Sequence, residues 1–397
     1  MTKLWLAVSR MLFLLTVVLA LLTGCGSNGN VVAPLPAPAP QPMLVPQLAV
    51  VANRDENTLS TYTINPSNGQ LHMSGSVGSG GIGPIALAVD PTGHSAYVAN
   101  LIAAGCVPHG GAICPGGGIA AFSINIDTGA LTPMGSPVAA GDGPRTVIVH
   151  PSGKFLYGTS LLSNNIFAYT IDPGGQAPLP IGSPIATGRA PVSLSLDPAG
   201  KNAYVVNSDD NTISHYTIDT NTGALAVSGN PIPVAGLDPE FLLVRASGKF
   251  AYLVNTVSNT ISIFSIDPIS GALAAIGDPV ASCGNFPSAL AEDPSGKYLY
   301  VSNQGTGDIC AFKIDTATGA LAPIGSRVVA GDAPASMNVE PSGKYLFVGN
   351  AESNDVSTFV IDSNTGALTP VGAATPAGKT PSSVVTIGKL VTPAPAN

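Results

Sequence analysis

The chain has 397 residues, 45% of them hydrophobic and only 10% charged, with a net charge of −8. Forty-six glycines and 36 prolines exclude a helical protein and point to short strands joined by tight turns, an all-β chain. The acidic balance and the lack of a Lys/Arg run leave no electrostatic footprint for nucleic acid.

The first element is a leader. Lys3 and Arg10 give a basic start, and residues 11–24 are an apolar run shorter than the roughly 20 residues a membrane-spanning helix needs. This pattern reads as a secretory signal over residues 1–24. It ends in Leu22-Thr23-Gly24-Cys25, which matches the bacterial lipobox, so Cys25 is expected to carry lipid and hold the mature protein to a membrane. The expected location is the cell envelope, in the outer membrane or facing the periplasm, with Gly26 favouring outer-membrane sorting. Loss of Lys3 and Arg10 with the leader takes the net charge from −8 to −10. Residues 25–46 form a linker, in which the Pro/Ala alternation of Val31 to Pro46 favours extended polyproline II over a packed core.

Four cysteines besides Cys25, an even number in an oxidising compartment, read as two disulfides. Cys106 and Cys114 share one insertion; Cys283 and Cys310 lie further along. Their spacing does not suit zinc, and neither a metal nor a cofactor is expected.

The rest of the chain repeats. Prolines that precede an apolar strand fall at 84, 144, 191, 239, 287, 334 and 381, at spacings of 60, 47, 48, 48, 47 and 47. The long spacing carries GCVPHGGAICPGG, residues 105–117. A period of this size marks a solenoid or a propeller. Within each unit a small apolar strand such as Pro84 to Asp90 meets a D-P-S-G turn, where Pro presets φ and Gly takes the left-handed position. A β-branched and aromatic strand follows, as in Lys297-Tyr-Leu-Tyr-Val-Ser-Asn303. A third strand alternates with period two, as in Asn211 to Asp219, and a Thr-Gly turn leads to a weaker fourth. Four antiparallel strands per unit make a propeller blade. The chain starts out of phase: Leu48 to Leu71 supplies strands two to four, and Pro381 to Lys389 supplies a lone first strand. The two ends therefore share a blade, giving seven blades over residues 47–390, a tail over 391–397, and a closed monomeric ring without open edges.

The Tyr-Val-x-Asn core, with Asn-Thr-Ile-Ser and Thr-Gly-Ala-Leu, resembles the YVTN-type repeats of the lactonase-like seven-bladed propellers. The likeness covers residues 47–390 and implies the fold. It implies only as a family association the activity of 6-phosphogluconolactonases, because the repeated residues are scaffold.

Function is sought where the repeat breaks. The residue after each blade-start proline is Ile85, Arg145, Val192, Glu240, Ser288, Ala335 and Ser382. Arg145 and Glu240 are the charged exceptions, two blades apart, and are expected at the channel mouth as anion anchor and general base. Arg189, in the equivalent loop one blade on from Arg145, and the loop charges Arg54 and Asp209 are further binding candidates. Both expected disulfides fall on this face. His150 replaces a turn Asp and belongs on the opposite face. The main expectation is an envelope propeller that presents this face to a protein or glycan without catalysis. The alternative is a lactone hydrolase acting on a small lactone at the same mouth, though a sugar phosphate would want more cations than the 15 Lys and Arg present.

Overall fold

The computed structural model describes residues 43–103, 116–172, 174 and 176–391. The leader, Cys25, most of the linker, Cys106, Cys114 and the tail beyond Val391 lie outside the described residues.

Every described element is a strand, and the strands form seven antiparallel sheets arranged as blades. Blade 1 runs from Gly81 to Ala139, blade 2 from Pro144 to Ala186, blade 3 from Pro191 to Pro233 and blade 4 from Pro239 to Ala281. Blade 5 runs from Pro287 to Val329 and blade 6 from Pro334 to Pro376. Blade 7 joins the last strand, Pro381–Val391, to the first three, Met43–Asn53, Thr58–Ile64 and Leu71–Gly78. The ring therefore closes as expected, with Leu48 opposite Ile387 and Val51 opposite Val384. The first strand begins at Met43, before residue 47, because residues 43–46 pair only with the closing strand. Pro46 is accommodated there beside a register shift, where its missing N–H disturbs no second partner. In most blades the fourth strand is split by a Gly turn into two short pieces that both pair with the third, as Leu225–Val227 and Ile232–Pro233 do.

The second strand carries most of the core. All six residues of Phe250–Asn255, Tyr298–Asn303 and Tyr345–Asn350 are buried, because both faces of the strand meet a neighbouring blade. Core clusters accordingly bridge blades: Val192, Tyr204 and Val206 of blade 3 pack on Leu242, Ala251 and Leu253 of blade 4. Burial of each valine or leucine among them contributes about 1.5–3 kcal/mol. The tyrosine hydroxyls end on the glycine of the turn between third and fourth strands of the next blade, Tyr204 donating to the Gly271 carbonyl at 2.7 Å and Tyr252 to Gly319 at 2.8 Å.

The asparagine that ends the second strand is a lock. The Nδ2 of Asn207 donates to Thr212 and Ser214, and that of Asn255 to Thr260 and Ser262. A glycine of the loop before the blade lies against each amide: a Cβ on Gly236 would stand 2.0 Å from the Asn255 side chain. The asparagine before the third strand links blades, its Oδ1 accepting the N–H of the residue ahead of the next blade-start proline, as Asn211 does from Asp238 at 3.1 Å. Inner strands are tied by hydroxyls, with Ser193 accepting from Leu242 N–H at 3.1 Å and Ser288 donating to the Pro334 carbonyl at 2.8 Å.

The turn face carries two departures from the pattern. Where Asp197 and Asp293 cap their own hairpin by accepting backbone N–H groups, His150 and Arg245 reach into the next blade. His150 Nε2 contacts the Gly200 carbonyl at 2.8 Å. Arg245 donates through Nε to Glu292 at 2.8 Å and through Nη2 to the Gly296 carbonyl, and it is only 2% exposed.

Candidate functional site: the channel mouth

Each inner strand begins with its proline at the end of the blade opposite the D-P-S-G turn. The residue before that proline is left-handed in all seven blades: Gly83, Gly143, Ala190, Asp238, Phe286, Ala333 and Thr380 have φ between 51° and 67°. Its carbonyl accepts from the loop between second and third strands, as Ala190 does from Ser208 N–H at 2.9 Å and Asp238 from Thr256 N–H at 2.8 Å. This clamp turns the chain inward and points the residue after the proline at the axis.

All seven of those residues, Ile85, Arg145, Val192, Glu240, Ser288, Ala335 and Ser382, line one cavity of about 850 Å³ at the channel mouth. Along the inner strands the lining mixes apolar Leu87, Ile148, Leu194, Phe241 and Met337 with hydroxyl side chains such as Thr146, Ser193 and Ser336. Arg145 and Glu240 meet across this opening. An Nη2 of Arg145 donates to Glu240 Oε1, past the short Val192 of the intervening blade. Both side chains keep access to water, at 34% and 25% exposure. A guanidinium and a carboxylate in contact at the rim of a partly apolar cavity offer an oxyanion donor and a proton acceptor side by side.

Arg54 also lines the cavity, paired with Asp55 at 3.0 Å. The Thr380 hydroxyl, then Arg54, holds the Asp55 carboxyl below the usual range. Arg189 stays outside the lining. Its N–H and Nε both donate to Asp210 at 2.7 Å, and its Nη2 reaches the Asp209 carbonyl at 3.4 Å, so the Asp209–Asp210 loop turns it away from the axis. That backbone N–H, then the guanidinium, lowers the Asp210 pKa. Arg145, Glu240 and Arg54 are thus brought together, and Arg189 and Asp209 are not.

Lys379 and Glu352 complete the charged lining and were missed in the sequence. Lys379 occupies the same loop position, Gly-x-x-Pro, that singled out Arg189, so the repeat itself carried the signal. With Arg54, Arg145 and Lys379 against Asp55, Glu240 and Glu352, the charges around the mouth balance.

Cys283 and Cys310 are joined by a disulfide, with Cα atoms 6.4 Å apart, tying the loop that enters blade 5 to the third strand of that blade. Cys310 stands where other blades place the serine of the asparagine lock, and its sulfur accepts from Asn303 Nδ2 at 3.3 Å. His150 lies on the turn face, away from the cavity.

Fold and site together define a seven-bladed propeller with an open, charge-paired channel mouth. Residues 145–237 and 235–386 match the family described as Lactonase, 7-bladed beta-propeller, and the chain belongs to that family. No curated protein matches the sequence. Among solved structures the chain resembles a Bacteroides uniformis protein provisionally named a 6-phosphogluconolactonase, with TM-score 0.75 and 20% identity over 86% of this chain and 99% of that one. It is also similar to the Pseudomonas aeruginosa periplasmic gluconolactonase PpgL, with TM-score 0.74 and 18% identity over 88% of this chain and 100% of that one. At these identities the likeness is one of fold.

Proposed function

We propose that this protein hydrolyses lactones at the channel mouth. One observation carries the reading: the two charged residues that break the blade-start pattern, Arg145 and Glu240, converge over the central cavity of a lactonase-family propeller. In the proposed step Glu240 takes a proton from water as the oxygen attacks the lactone carbonyl. Arg145 holds the oxyanion. Collapse breaks the ring C–O bond, and the leaving oxygen recovers the proton from Glu240. The product is a hydroxy acid whose carboxylate leaves past Arg145. The Arg145–Glu240 contact must open for substrate, and their partial exposure leaves room for that.

The balanced charge of the mouth favours an uncharged lactone ring over a phosphorylated one, because a dianion would have to displace carboxylates already paired there. Sugar lactones, the substrate class named for the Pseudomonas protein, are the first compounds to assay. The purified protein, residues 26–397, is expected to open a lactone ring, and Glu240→Gln is expected to lower kcat about 10²–10⁴-fold with unchanged melting. Equal turnover in that variant would remove Glu240 from the mechanism. A failure of every lactone would return the site to the non-catalytic binding face. Secretion by the 1–24 leader and lipid anchoring at Cys25 belong to the same proposal. Metabolic labelling with a fatty acid, abolished by Cys25→Ser, tests them.

A further inference from the structure

Ser193, the second residue after the blade-start proline of blade 3, is a buried hydroxyl whose oxygen serves the ring and whose proton does not. It is 2% exposed, and it lines the channel-mouth cavity. Its Oγ accepts the Leu242 N–H of blade 4 at 3.1 Å. Ser195, two residues on, donates its own O–H to the Leu242 carbonyl, so the Leu242 backbone lies between two serines. Among the described residues no atom accepts the Ser193 O–H. A buried donor without an acceptor is costly, and one that lines a cavity is placed for a ligand atom.

The equivalent residues of the other blades are Ala86, Thr146, Phe241, Ala289, Ser336 and Ser383. Ala86, Phe241 and Ala289 carry no hydroxyl, and the Thr146 hydroxyl pairs with that of Thr159 at 3.0 Å. Ser336 and Ser383 make the same inter-blade bond as Ser193, accepting the N–H of Val384 at 3.0 Å and of Leu87 at 3.2 Å. They are only partly buried, however, and stand on blades 6 and 7. Ser193 belongs to the blade between Arg145 and Glu240. It follows Val192, past which Arg145 reaches Glu240, and its partner Leu242 lies two residues beyond Glu240 on the same strand. The N–H that Ser193 accepts polarises its hydroxyl and strengthens it as a donor. Seclusion from water strengthens it further.

Resting on the hydrolase reading, we infer that Ser193 is a second oxyanion donor, working with Arg145 on the lactone carbonyl. As the water oxygen bonds to the carbonyl carbon, the C=O π pair moves onto the carbonyl oxygen. Ser193 donates a hydrogen bond to that oxygen and keeps its proton. When the intermediate collapses the C=O re-forms, the ring C–O bond breaks and the contact relaxes. Arg145 must first leave Glu240 to take part, whereas Ser193 is already held by its strand and by Leu242. A donor fixed before the charge develops needs no reorganisation at the moment of reaction.

The test follows ring opening of glucono-1,5-lactone and of γ-butyrolactone by residues 26–397. Ser193→Ala is expected to lower kcat about 10²–10³-fold on both rings, with KM little changed, because the carbonyl is common to them. The curve of kcat against pH should keep its wild-type shape, because Glu240 is still the base. Ser193→Thr and Ser193→Val form a matched pair of one shape, which blade 2 already accommodates as Thr146. Threonine is expected to keep most of the turnover and valine to lose it as alanine does. A Ser193→Ala variant with wild-type kcat overturns the inference and leaves the hydrolase reading standing. So does a loss confined to the sugar lactone, which would place Ser193 on a ring hydroxyl. A shifted pH curve, or equal loss in the threonine and valine variants, also overturns it, since Ser193 would then act only by holding the Glu240 strand through Leu242. If the wild type opens neither ring, the hydrolase reading falls and the inference with it.

Discussion

The buried pair of Arg245 and Glu292 offers the sharpest test of how the repeat was modified. Other blades end the inner strand in Val89, Val149, Leu196, Val244 or Val339 and cap the turn with an acid or His150. In blades 4 and 5 these two positions carry charges instead, and the charges pair across the blades at 2.8 Å. Removing one partner leaves a buried charge without its counter-charge. Glu292→Val deprives Arg245 Nε and the Ala246 N–H of their acceptor and leaves the Gly296 carbonyl as the main partner, while Arg245 Nη1 is already without one. Breaking a buried ion pair typically costs about 3–5 kcal/mol. Arg245→Asp sets two carboxylates close together and should cost at least as much. The double variant Arg245→Asp/Glu292→Val restores the pattern of the other blades, because the Asp takes the capping role that Asp197 and Asp293 play. It is expected within about 1.5 kcal/mol of wild type, a coupling well above the 0.5–3 kcal/mol usual for contacting residues. Urea denaturation followed by circular dichroism reads this cycle, since the single tryptophan, Trp5, is absent from the purified protein of residues 26–397 and gives no fluorescence signal. If the double variant loses as much as the two single variants combined, the pair is not a concerted replacement and the reasoning fails.

Deleting residues 381–391 strips the first strand of its partner and exposes Leu48, Val50 and Val51, so a soluble deletion variant with unchanged melting would refute the shared-blade closure. Cys283→Ser/Cys310→Ser opens a loop closed over 27 residues and should lower stability by about 3.5 kcal/mol in the chain-entropy account, read as a shifted urea midpoint. His215, stacked on Tyr204 and bonded to Asn202, has its pKa lowered from 6.5 by desolvation, which the charge of Asp197 only partly offsets. Below pH 6.5 the unfolded chain therefore binds a proton that folded His215 resists. Stability should fall as pH drops from 6.5 toward the lowered value, by at most about 1.4 kcal/mol per pH unit, and His215→Gln should flatten that part of the curve.

The fold was legible because each blade repeats its own instructions. The turn acids, the Thr-Gly turns and the aromatic second strands keep one meaning wherever they recur from blade to blade, and the out-of-phase ends could only be completed by each other. Arg145 and Glu240 were legible as departures from that repetition. Two other features were not. The fate of Arg189 hinged on Asp210, twenty-one residues away in a loop whose course no local pattern dictates. The partnership of Arg245 with Glu292 required knowing how one blade's turn registers against the next blade's inner strand. Both are consequences of inter-blade geometry, which a sequence of blades does not spell out.

The same geometry explains why departures of equal strength in the sequence have unequal meaning. On the turn face, His150 and Arg245 are drawn into the next blade and spent on its carbonyls and on Glu292, so their chemistry is enclosed. At the mouth the clamp before each proline sets the following side chain at the cavity, where Ser288 and Ser382 reach the Pro334 and Pro84 carbonyls of the next blade but Arg145 and Glu240 pair with each other. A charge placed there stays in contact with water and with whatever enters the channel. The repeated polar residues of this protein serve the ring: asparagines lock loops, tyrosines reach across blades and inner-strand serines join them. Chemistry is therefore sought at positions that the ring does not use, and Arg145 and Glu240 are the charged pair among the innermost strand tops, which converge on one cavity.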